Sequence, residues 1–233
     1  MTDMDMTSGA QQEILSSIRA HLRASERFDV RAEHAQTIAK RTKSKSTADN
    51  RAVTVIDVFQ QALEAVSGHC SIVATIDEAA HVVQQIIDER NARRVAVSDS
   101  ALLKRILGQL KTEAVFLAAP NQSELFDCDM GITTAQWAIA ETGTLVLESD
   151  RERHRLASLV PPVHVAIIES NRIRQTMSEL LELIKRADVG LSRTVTFITG
   201  PSRTSDIELT LAIGVHGPGE LHVIVIDEPA QPA

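Results

Sequence analysis

The chain has 233 residues, of which 43% are hydrophobic, and a formal net charge of −7. This length and apolar content suit a globular protein with one sizeable core and exclude a chain that is disordered throughout. The acidic balance, together with one Trp, five Phe and no Tyr, argues against a nucleic-acid binder, which needs a basic surface and aromatic side chains for stacking.

The first 50 residues predict a helical arm followed by a linker. Met1–Ala10 has acidic and polar residues where a secretory signal has basic and apolar ones, so we expect a cytoplasmic protein. Apolar residues recur at helical spacing from Ile14 to Leu22, and a second short helix is predicted at Arg31–Lys40. Arg41–Asn50 has almost nothing to bury and predicts an exposed linker, which places a domain boundary between residues 50 and 51.

Strands alternate with helices in the next segment. A helix is predicted from Val53 to Val66, and three strands follow with amphipathic helices between them, at Ser71–Ile76, Arg94–Val97 and Ala114–Ala118. Thr75 and Glu78 have the spacing of a capping box at the start of the first intervening helix. This alternation predicts parallel βαβ units, whose right-handed crossovers place helices on both faces of a sheet.

The second half predicts more strands with shorter connections, at Trp137–Glu141, Thr144–Leu147, Val163–Ile168, Val195–Ile198 and Leu221–Ile226. Thr142–Gly143 predicts a tight hairpin turn. One helix is predicted from Ile173 to Ile184, with Ser170 or Asn171 as its N-cap. No apolar run is long enough for a membrane span. The predicted fold is an α/β domain over residues 51–233, with a three-layer, mixed, open sheet and a helical N-terminal arm.

The cysteine content argues against a redox centre in this chain. Cys70 and Cys128 are the two cysteines, and they form no CxxC pair. An iron–sulfur cluster normally needs four thiolates, and structural zinc needs four Cys or His ligands at close spacing. His216 and His222 bracket a Gly/Pro turn, but no third ligand can be named beside them. We therefore predict no metal site and no cofactor bound by this chain.

One candidate site is the turn from Glu141 to Thr144, because ligands of open α/β sheets bind beyond the carboxyl ends of strands. Glu141 is either a catalytic carboxylate or an acceptor for ligand hydroxyls, with Thr142, Gly143 and Thr144 beside it. The same residues are also those of a hairpin turn selected for backbone geometry alone. The pattern leaves these two interpretations open.

A second candidate is the loop after the predicted strand at Val195–Ile198. It mixes groups that can cradle a small anion through backbone N–H groups, hydroxyls and a guanidinium, namely Gly200, Ser202, Arg203, Thr204 and Asp206. His216, in the glycine-rich turn Gly214–Gly219, is a further candidate ligand-binding residue. Ser98–Ser100 is better explained as a helix N-cap, and Arg151–Arg155 as a solvated charged loop. The P-loop, GxGxxG and GxSxG patterns are absent.

Five segments in this order resemble the lactate-utilization protein C family, the small single-domain members of the LUD-domain group: Gly131–Thr134, Ala140–Leu147, Leu156–Val163, Gly200–Glu208 and Gly214–Val223. The resemblance covers Val53 to Asp227. It implies a fold similar to that of the sugar-phosphate isomerase, CoA-transferase and formyltetrahydrofolate cyclo-ligase group. It also implies a role in the oxidation of L-lactate to pyruvate, together with cysteine-rich partner proteins that carry iron–sulfur clusters.

The resemblance and the missing cysteines together predict an accessory subunit of an iron–sulfur-dependent lactate-oxidising system. In this hypothesis the chain binds a small carboxylate or phosphate in a crevice at the carboxyl ends of its strands, and the clusters reside in partner subunits. Two alternatives stay open. The chain is a regulatory module that only binds a small ligand, or it is a stand-alone enzyme of the CoA-transferase or cyclo-ligase kind with Glu141 as nucleophile.

Overall fold

A computed structural model of the chain describes residues 16–17, 53–150, 155–186, 192–207, 210–213 and 217–228, with residues 186, 204–207 and 210–213 described as backbone only. Residues 1–52 and residues 53–233 form separate units. Ser16 and Ser17 are helical and exposed. The remainder of the predicted arm, including the helix at Arg31–Lys40 and the linker at Arg41–Asn50, lies outside the described residues, so the arm and the boundary at residues 50/51 stay predictions.

Strands and helices alternate through the second unit. Its helices are α1 (Val55–Ala65), α2 (Ile76–Glu89), α3 (Ala101–Leu107), α4 (Gln122–Phe126) and α5 (Met177–Arg186). Its strands are β1 (His69–Val73), β2 (Arg94–Val97), β3 (Val115–Leu117), β4 (Met130–Thr134), β5 (Trp137–Ile139), β6 (Thr144–Glu148), β7 (Val163–Glu169), β8 (Ile173–Arg174), β9 (Val195–Ile198), β10 (Arg203–Ile207), β11 (Thr210–Ile213) and β12 (Glu220–Ile226). None of the described helices is both long and apolar enough to cross a bilayer.

The α/β class is confirmed, and the strands separate into distinct sheets. The large sheet has six strands in the order β1-β12-β7-β4-β2-β3, and every pairing in it is parallel. The small sheet has four strands in the order β8-β5-β6-β9 and pairs β6 antiparallel with both β5 and β9. Strands β10 and β11 form a separate antiparallel hairpin. The antiparallel pairing expected of a mixed sheet is therefore confined to the small sheet and the hairpin.

Both faces of the large sheet are buried, as alternate residues of its central strands show. Val165 and Ile167 of β7 belong to the apolar cluster that packs against α2 and α3. Ala166 and Ile168, which point to the opposite face, belong to a second cluster that contains Phe59 of α1 and residues of the small sheet. The small sheet thus adds a further layer, and α5 packs on its outer face.

Helix capping explains where two of the helices begin. At α1, the Thr54 hydroxyl accepts the Asp57 N–H at 3.2 Å, and the Asp57 carboxylate accepts the Thr54 N–H at 2.7 Å, which completes a capping box. At α2, Thr75 accepts the Glu78 N–H, but Glu78 accepts the N–H of Ala74 instead of that of Thr75. The predicted strand at Ser71–Ile76 therefore ends at Val73, because Thr75 already caps a helix.

Several predicted elements differ from the observed ones. Strand β4 was not predicted, although all five of its residues are buried. The predicted two-residue turn at Thr142–Gly143 is a 3-10 helix over Ala140–Thr142 that is closed by Gly143 at φ 63°. The predicted N-cap at Ser170 or Asn171 is wrong, because a 3-10 turn and β8 precede α5. Instead the Thr176 hydroxyl accepts the Glu179 N–H at 3.2 Å.

Gly131 lets a connecting segment lie directly on the large sheet. A Cβ at this position would overlap the carbonyl oxygen of Ala157, in the 3-10 helix Arg155–Ser158. Because the overlapping atoms belong to the backbone, a side chain at Gly131 would displace the whole segment. The missing side chain therefore permits the close approach of Arg155–Ser158 to β4.

Replacing Gly131 by alanine should lower the free energy of unfolding by about 3 kcal/mol, because overpacking against backbone cannot relax by a rotamer change. Urea unfolding followed by circular dichroism measures this. Gly108→Ala is the matched control: a Cβ there would lie 3.3 Å from the Lys104 carbonyl oxygen, and we expect a change within about 1 kcal/mol. Equal stability of the two variants would contradict the packing argument.

Candidate functional site

A pocket of about 210 Å³ lies where the amino ends of β7 and β12 meet the end of β9. We call it the amino-edge pocket. Its lining combines hydroxyl groups, one imidazole, apolar side chains and tight turns, from Ser158, Leu159, His164, Phe197, Ile198, Thr199, Gly200, Pro201, Ser202, Gly217, Pro218 and Leu221. None of these described lining residues carries a carboxylate, an ammonium or a guanidinium group. The described part of the lining is thus polar without carrying such a charged group.

The predicted loop after β9 forms one wall of this pocket. Gly200 adopts φ 78°, and a Cβ there would lie 2.6 Å from the carbonyl oxygen of Val66, at the end of α1. The Ser202 N–H donates to the carbonyl oxygen of Pro218 at 2.7 Å. The loop is therefore held between α1 and the turn before β12, and two predicted ligand-binding residues, Gly200 and Ser202, lie on the pocket wall.

His164 contributes a buried polar group to the same pocket. Its side chain is 1% exposed, and its Nε2 lies 2.8 Å from the Thr133 hydroxyl oxygen. Its Nδ1 has no hydrogen-bond partner in the described part of the structure. Burial lowers the pKa of His164 to about 3, so the ring is neutral at neutral pH. A buried nitrogen without a hydrogen-bond partner is energetically costly.

Thr142 and Thr144 connect to the pocket through a row of hydroxyl groups. The Thr142 and Thr144 hydroxyl oxygens are 2.6 Å apart, and that of Thr144 lies 2.8 Å from that of Thr199. Thr199 lines the pocket, whereas Thr144 is buried behind it. The two predicted residues therefore contact the pocket indirectly.

Gly143 has a packing role at the same turn. It adopts φ 63°, and a Cβ on it would overlap the backbone of Leu63 in α1. Only glycine satisfies both the left-handed conformation and this close approach. The Thr-Gly-Thr turn is thus pressed against α1, which aligns its two hydroxyl groups with the loop after β9.

Glu141 serves a neighbouring helix in this structure. Its N–H donates to the carbonyl oxygen of Gln175 at 3.1 Å, and its carboxylate Oε1 accepts the Met177 N–H at 3.0 Å. Met177 is the first residue of α5. The carboxylate therefore occupies the N-terminus of a helix, where a negative charge is stabilising, and Glu141 is not among the residues that line the amino-edge pocket.

The other predicted residues lie away from the pocket or outside the described part. The Arg203 guanidinium donates to the Val66 carbonyl oxygen at 3.0 Å and to the Ser67 hydroxyl, so it ties the loop to the end of α1. The side chains of Thr204 and Asp206, and all of His216, lie outside the described residues.

A larger crevice, of about 450 Å³, lies at the opposite edge of the large sheet, beyond the carboxyl ends of β2, β4 and β7. We call it the carboxyl-edge crevice; it is lined by Asp99–Leu102, Thr134–Gln136, Ile168, Glu169 and Arg172. Ser100 caps α3 by accepting the Leu103 N–H at 3.0 Å, as predicted. The expected location beyond the strand carboxyl ends therefore holds a crevice, but none of the predicted ligand-binding residues lines it.

The surroundings of both cysteine thiols disfavour the reactive thiolate form. Burial raises the pKa of Cys70 to about 12 and also raises the pKa of Cys128, whose thiol donates to the Glu124 carbonyl oxygen at 3.2 Å. Among the described residues, no group of three or more His, Cys, Asp and Glu side chains is arranged to hold a metal ion.

Comparisons with known proteins agree on one family. The family model of the LUD domain matches residues 56–226. Lactate utilization protein C of Oceanobacillus iheyensis is 30% identical over 188 residues, which cover 74% of this chain and 80% of that protein. An uncharacterized protein of Neisseria meningitidis is 42% identical over 106 residues, but this match spans only 46% of its length and 45% of this chain.

A solved structure is similar to this fold. The crystal structure of a DUF162 family protein from Deinococcus radiodurans has a TM-score of 0.56 and 24% identity, and the match covers 74% of this chain and 96% of that chain. At this identity the likeness shows the fold alone.

Removing the Glu141 carboxylate should weaken the start of α5. We expect Glu141→Ala to lower the free energy of unfolding by about 1 kcal/mol, as for loss of a helix cap, and Glu141→Gln to cost less because it keeps a side-chain oxygen. Urea unfolding measures both, with exposed Glu113→Ala as the control. Equal losses for the Ala and Gln variants would contradict the capping role.

His164 should make the protein less stable in acid. Its pKa is about 3 when folded, against 6.5 ordinarily, so between these values the unfolded chain binds a proton that the folded chain does not. The contribution of neutral His164 to the free energy of unfolding is therefore complete above pH 6.5. It is lost as the pH falls, by up to about 1.4 kcal/mol per pH unit.

The free energy of unfolding of wild type, His164→Gln and His81→Gln, measured from pH 7 to 4, tests this. His164→Gln should show the shallower slope, whereas exposed His81→Gln should keep that of wild type. A wild-type slope in His164→Gln would show that the ring takes up its proton in the folded state.

Proposed function

Because this chain belongs to the LUD-domain family, we propose that it acts in lactate utilization as a subunit that binds a small carboxylic acid and works with iron–sulfur partner proteins. Relatives over most of its length are named lactate utilization protein C, which supports the first part. The observation that carries the binding proposal is that His164, whose buried Nδ1 has no partner among the described residues, lines a pocket that also has three hydroxyl side chains.

The chemistry of the pocket favours a small hydroxylated or carbonyl-bearing acid. Thr199 and Ser202 each bring a hydroxyl that can donate to a carboxylate or accept from a ligand hydroxyl. The Ser158 hydroxyl donates to the Arg155 carbonyl oxygen at 2.6 Å and can only accept from a ligand. The volume of about 210 Å³ is sufficient for a three-carbon acid. The described lining residues offer the anion hydrogen bonds and no ion pair. We therefore expect the isolated chain to bind weakly, with a Kd between about 1 µM and 1 mM.

The iron–sulfur part of the proposal comes from the family resemblance, and electron balance is compatible with it. Oxidation of lactate to pyruvate releases two electrons and two protons, so an electron acceptor is required. The chain has two cysteines, and Cys70 and Cys128 lie on separate elements, in β1 and just before β4. A four-thiolate cluster would therefore have to belong to other proteins of the system.

The CoA-transferase alternative is less well supported. A carboxylate nucleophile must face its substrate, and Glu141 instead accepts the Met177 N–H at 3.0 Å. A purely regulatory module would show the same ligand binding, and turnover by the assembled system distinguishes it from a subunit.

Isothermal titration of the full chain with L-lactate and with pyruvate tests the binding site. Ser202→Ala should weaken binding about tenfold through loss of a hydrogen bond to a charged ligand. Arg172→Ala is the matched control, because Arg172 lines the carboxyl-edge crevice and not the amino-edge pocket, so its loss should leave the Kd unchanged. Weaker binding by Arg172→Ala, with an unchanged Kd for Ser202→Ala, would indicate that the ligand binds in the carboxyl-edge crevice. Absence of binding by the wild type would contradict the binding proposal.

Lactate-dependent dye reduction by a co-expressed system tests the subunit role. The other components alone should lose most of the activity, and adding back this chain should restore it. Undiminished activity without the chain would contradict a role as a required subunit. Activity that requires the chain but is unchanged by Ser202→Ala would indicate that the chain is needed for assembly of the system and not for ligand binding.

A further inference from the structure

We propose that Thr133 and His164 form a neutral hydrogen-bonding pair that accommodates both an α-hydroxy acid and the corresponding α-keto acid by changing the tautomer of the imidazole. This inference rests on the proposed function, because it places the acid in the amino-edge pocket. It goes further in naming His164 as the residue that contacts the oxygen that differs between substrate and product, and Thr133 as the residue that positions the ring.

The pair is fixed in place by the large sheet. Thr133 lies on β4 and His164 on the neighbouring strand β7, in a register that pairs Gly131 with His164. Thr133 is 0% exposed and His164 is 1% exposed. The 2.8 Å contact between the hydroxyl oxygen and Nε2 therefore orients the ring. With Nε2 occupied, Nδ1 is the ring nitrogen left for a ligand, and His164 lines the pocket.

Two arrangements of this pair satisfy the same geometry. A threonine hydroxyl both donates and accepts, and a neutral imidazole carries its one proton on either nitrogen. When the Thr133 hydroxyl donates to Nε2, the proton is on Nδ1, which then donates to a ligand. When Nε2 carries the proton and donates to Thr133, Nδ1 accepts from a ligand. The imidazole holds one proton in both arrangements, so the two differ only in which ring nitrogen carries it.

The two arrangements match the two acids. The ketone oxygen of an α-keto acid only accepts, so it needs a donor at Nδ1. The hydroxyl of an α-hydroxy acid can donate, so it is best met by a lone pair at Nδ1. A charged imidazole would present donors only, and burial of His164 keeps the ring uncharged at neutral pH. An acid without oxygen on its α-carbon would leave Nδ1 unpaired.

Nitrogen NMR of the full chain, labelled with ¹⁵N, tests the pair directly. Signals of the His164 ring are assigned as those absent from His164→Gln. Saturation with pyruvate should give a protonated Nδ1, and saturation with L-lactate a protonated Nε2. Propionate, which lacks the second oxygen, should bind about tenfold more weakly by calorimetry.

The outcomes separate the inference from its premise. If lactate and pyruvate bind by calorimetry but leave the ring in one tautomer, the inference is overturned and the proposed function stands. If neither acid binds, the proposed function fails, and the inference fails with it. Propionate binding as tightly as lactate would also overturn the inference, because no group would then pair with Nδ1.

Two substitutions at Thr133 provide matched variants. Thr133→Ser keeps the hydroxyl and should keep the tautomer change. Thr133→Val removes the hydroxyl at nearly constant shape and should give the same tautomer in both complexes. Circular dichroism shows whether each variant is folded. If Thr133→Val is not folded, the measurement on the wild-type protein still decides the inference. A tautomer change that persists in folded Thr133→Val would show that Thr133 plays no part.

Discussion

The parallel large sheet must be covered on both faces, and the rest of the structure follows from that constraint. Parallel strands are stable when helices or another layer bury both sides. Here α2 and α3 cover one face, and α1 with the small sheet covers the other. A cover made of separate pieces leaves gaps where the pieces end. The amino-edge pocket lies at one such end, where β9 and the turn before β12 meet the sheet.

The cover is held by backbone contacts that only glycine permits. Gly131 lies against Ala157, Gly143 against α1, and Gly200 against the carbonyl oxygen of Val66. These glycines belong to three of the segments that carry the family resemblance. The motifs are therefore in part packing motifs, which explains why Glu141 and Gly143 belong to a conspicuous sequence pattern without lining the pocket. Thr199 and Ser202, which lie beside Gly200 in the loop after β9, do line the pocket.

Local pattern was sufficient for the fold wherever an element carries its own periodicity. The alternation from β1 to β3 is confirmed on that ground. Strand β4 was missed because Gly131 and two threonines interrupt its apolar pattern, and only its position between β2 and β7 makes it a buried strand. The predicted cap at Ser170 was wrong because pairing of β8 with β5 delays the helix until Met177.

The site was less predictable because its contacts join distant parts of the chain. Gly200 and Ser202 were found because a loop of mixed polarity follows a strand. The partners of Glu141 and Arg203 lie 36 and 137 residues away, and no local pattern indicates them. His164 was overlooked, although a lone histidine within the apolar run from Val163 to Ile168 was an available signal. A polar residue in a strand that is buried on both faces must find a partner.

The row formed by Thr142, Thr144 and Thr199 has a property beyond holding its turn in place. Each hydroxyl donates one hydrogen bond, so adjacent members cannot both donate to each other, and the row has a direction. Its two directions use the same oxygen positions and differ only in where the protons lie. A group that accepts a hydrogen bond from Thr199 in the pocket uses the one proton of that hydroxyl, so Thr144 must then donate to Thr199 and Thr142 to Thr144. The row is thus a short chain of coupled dipoles, in which the polarity at the pocket sets the polarity at the Thr142 end, beside α1, without any displacement of heavy atoms.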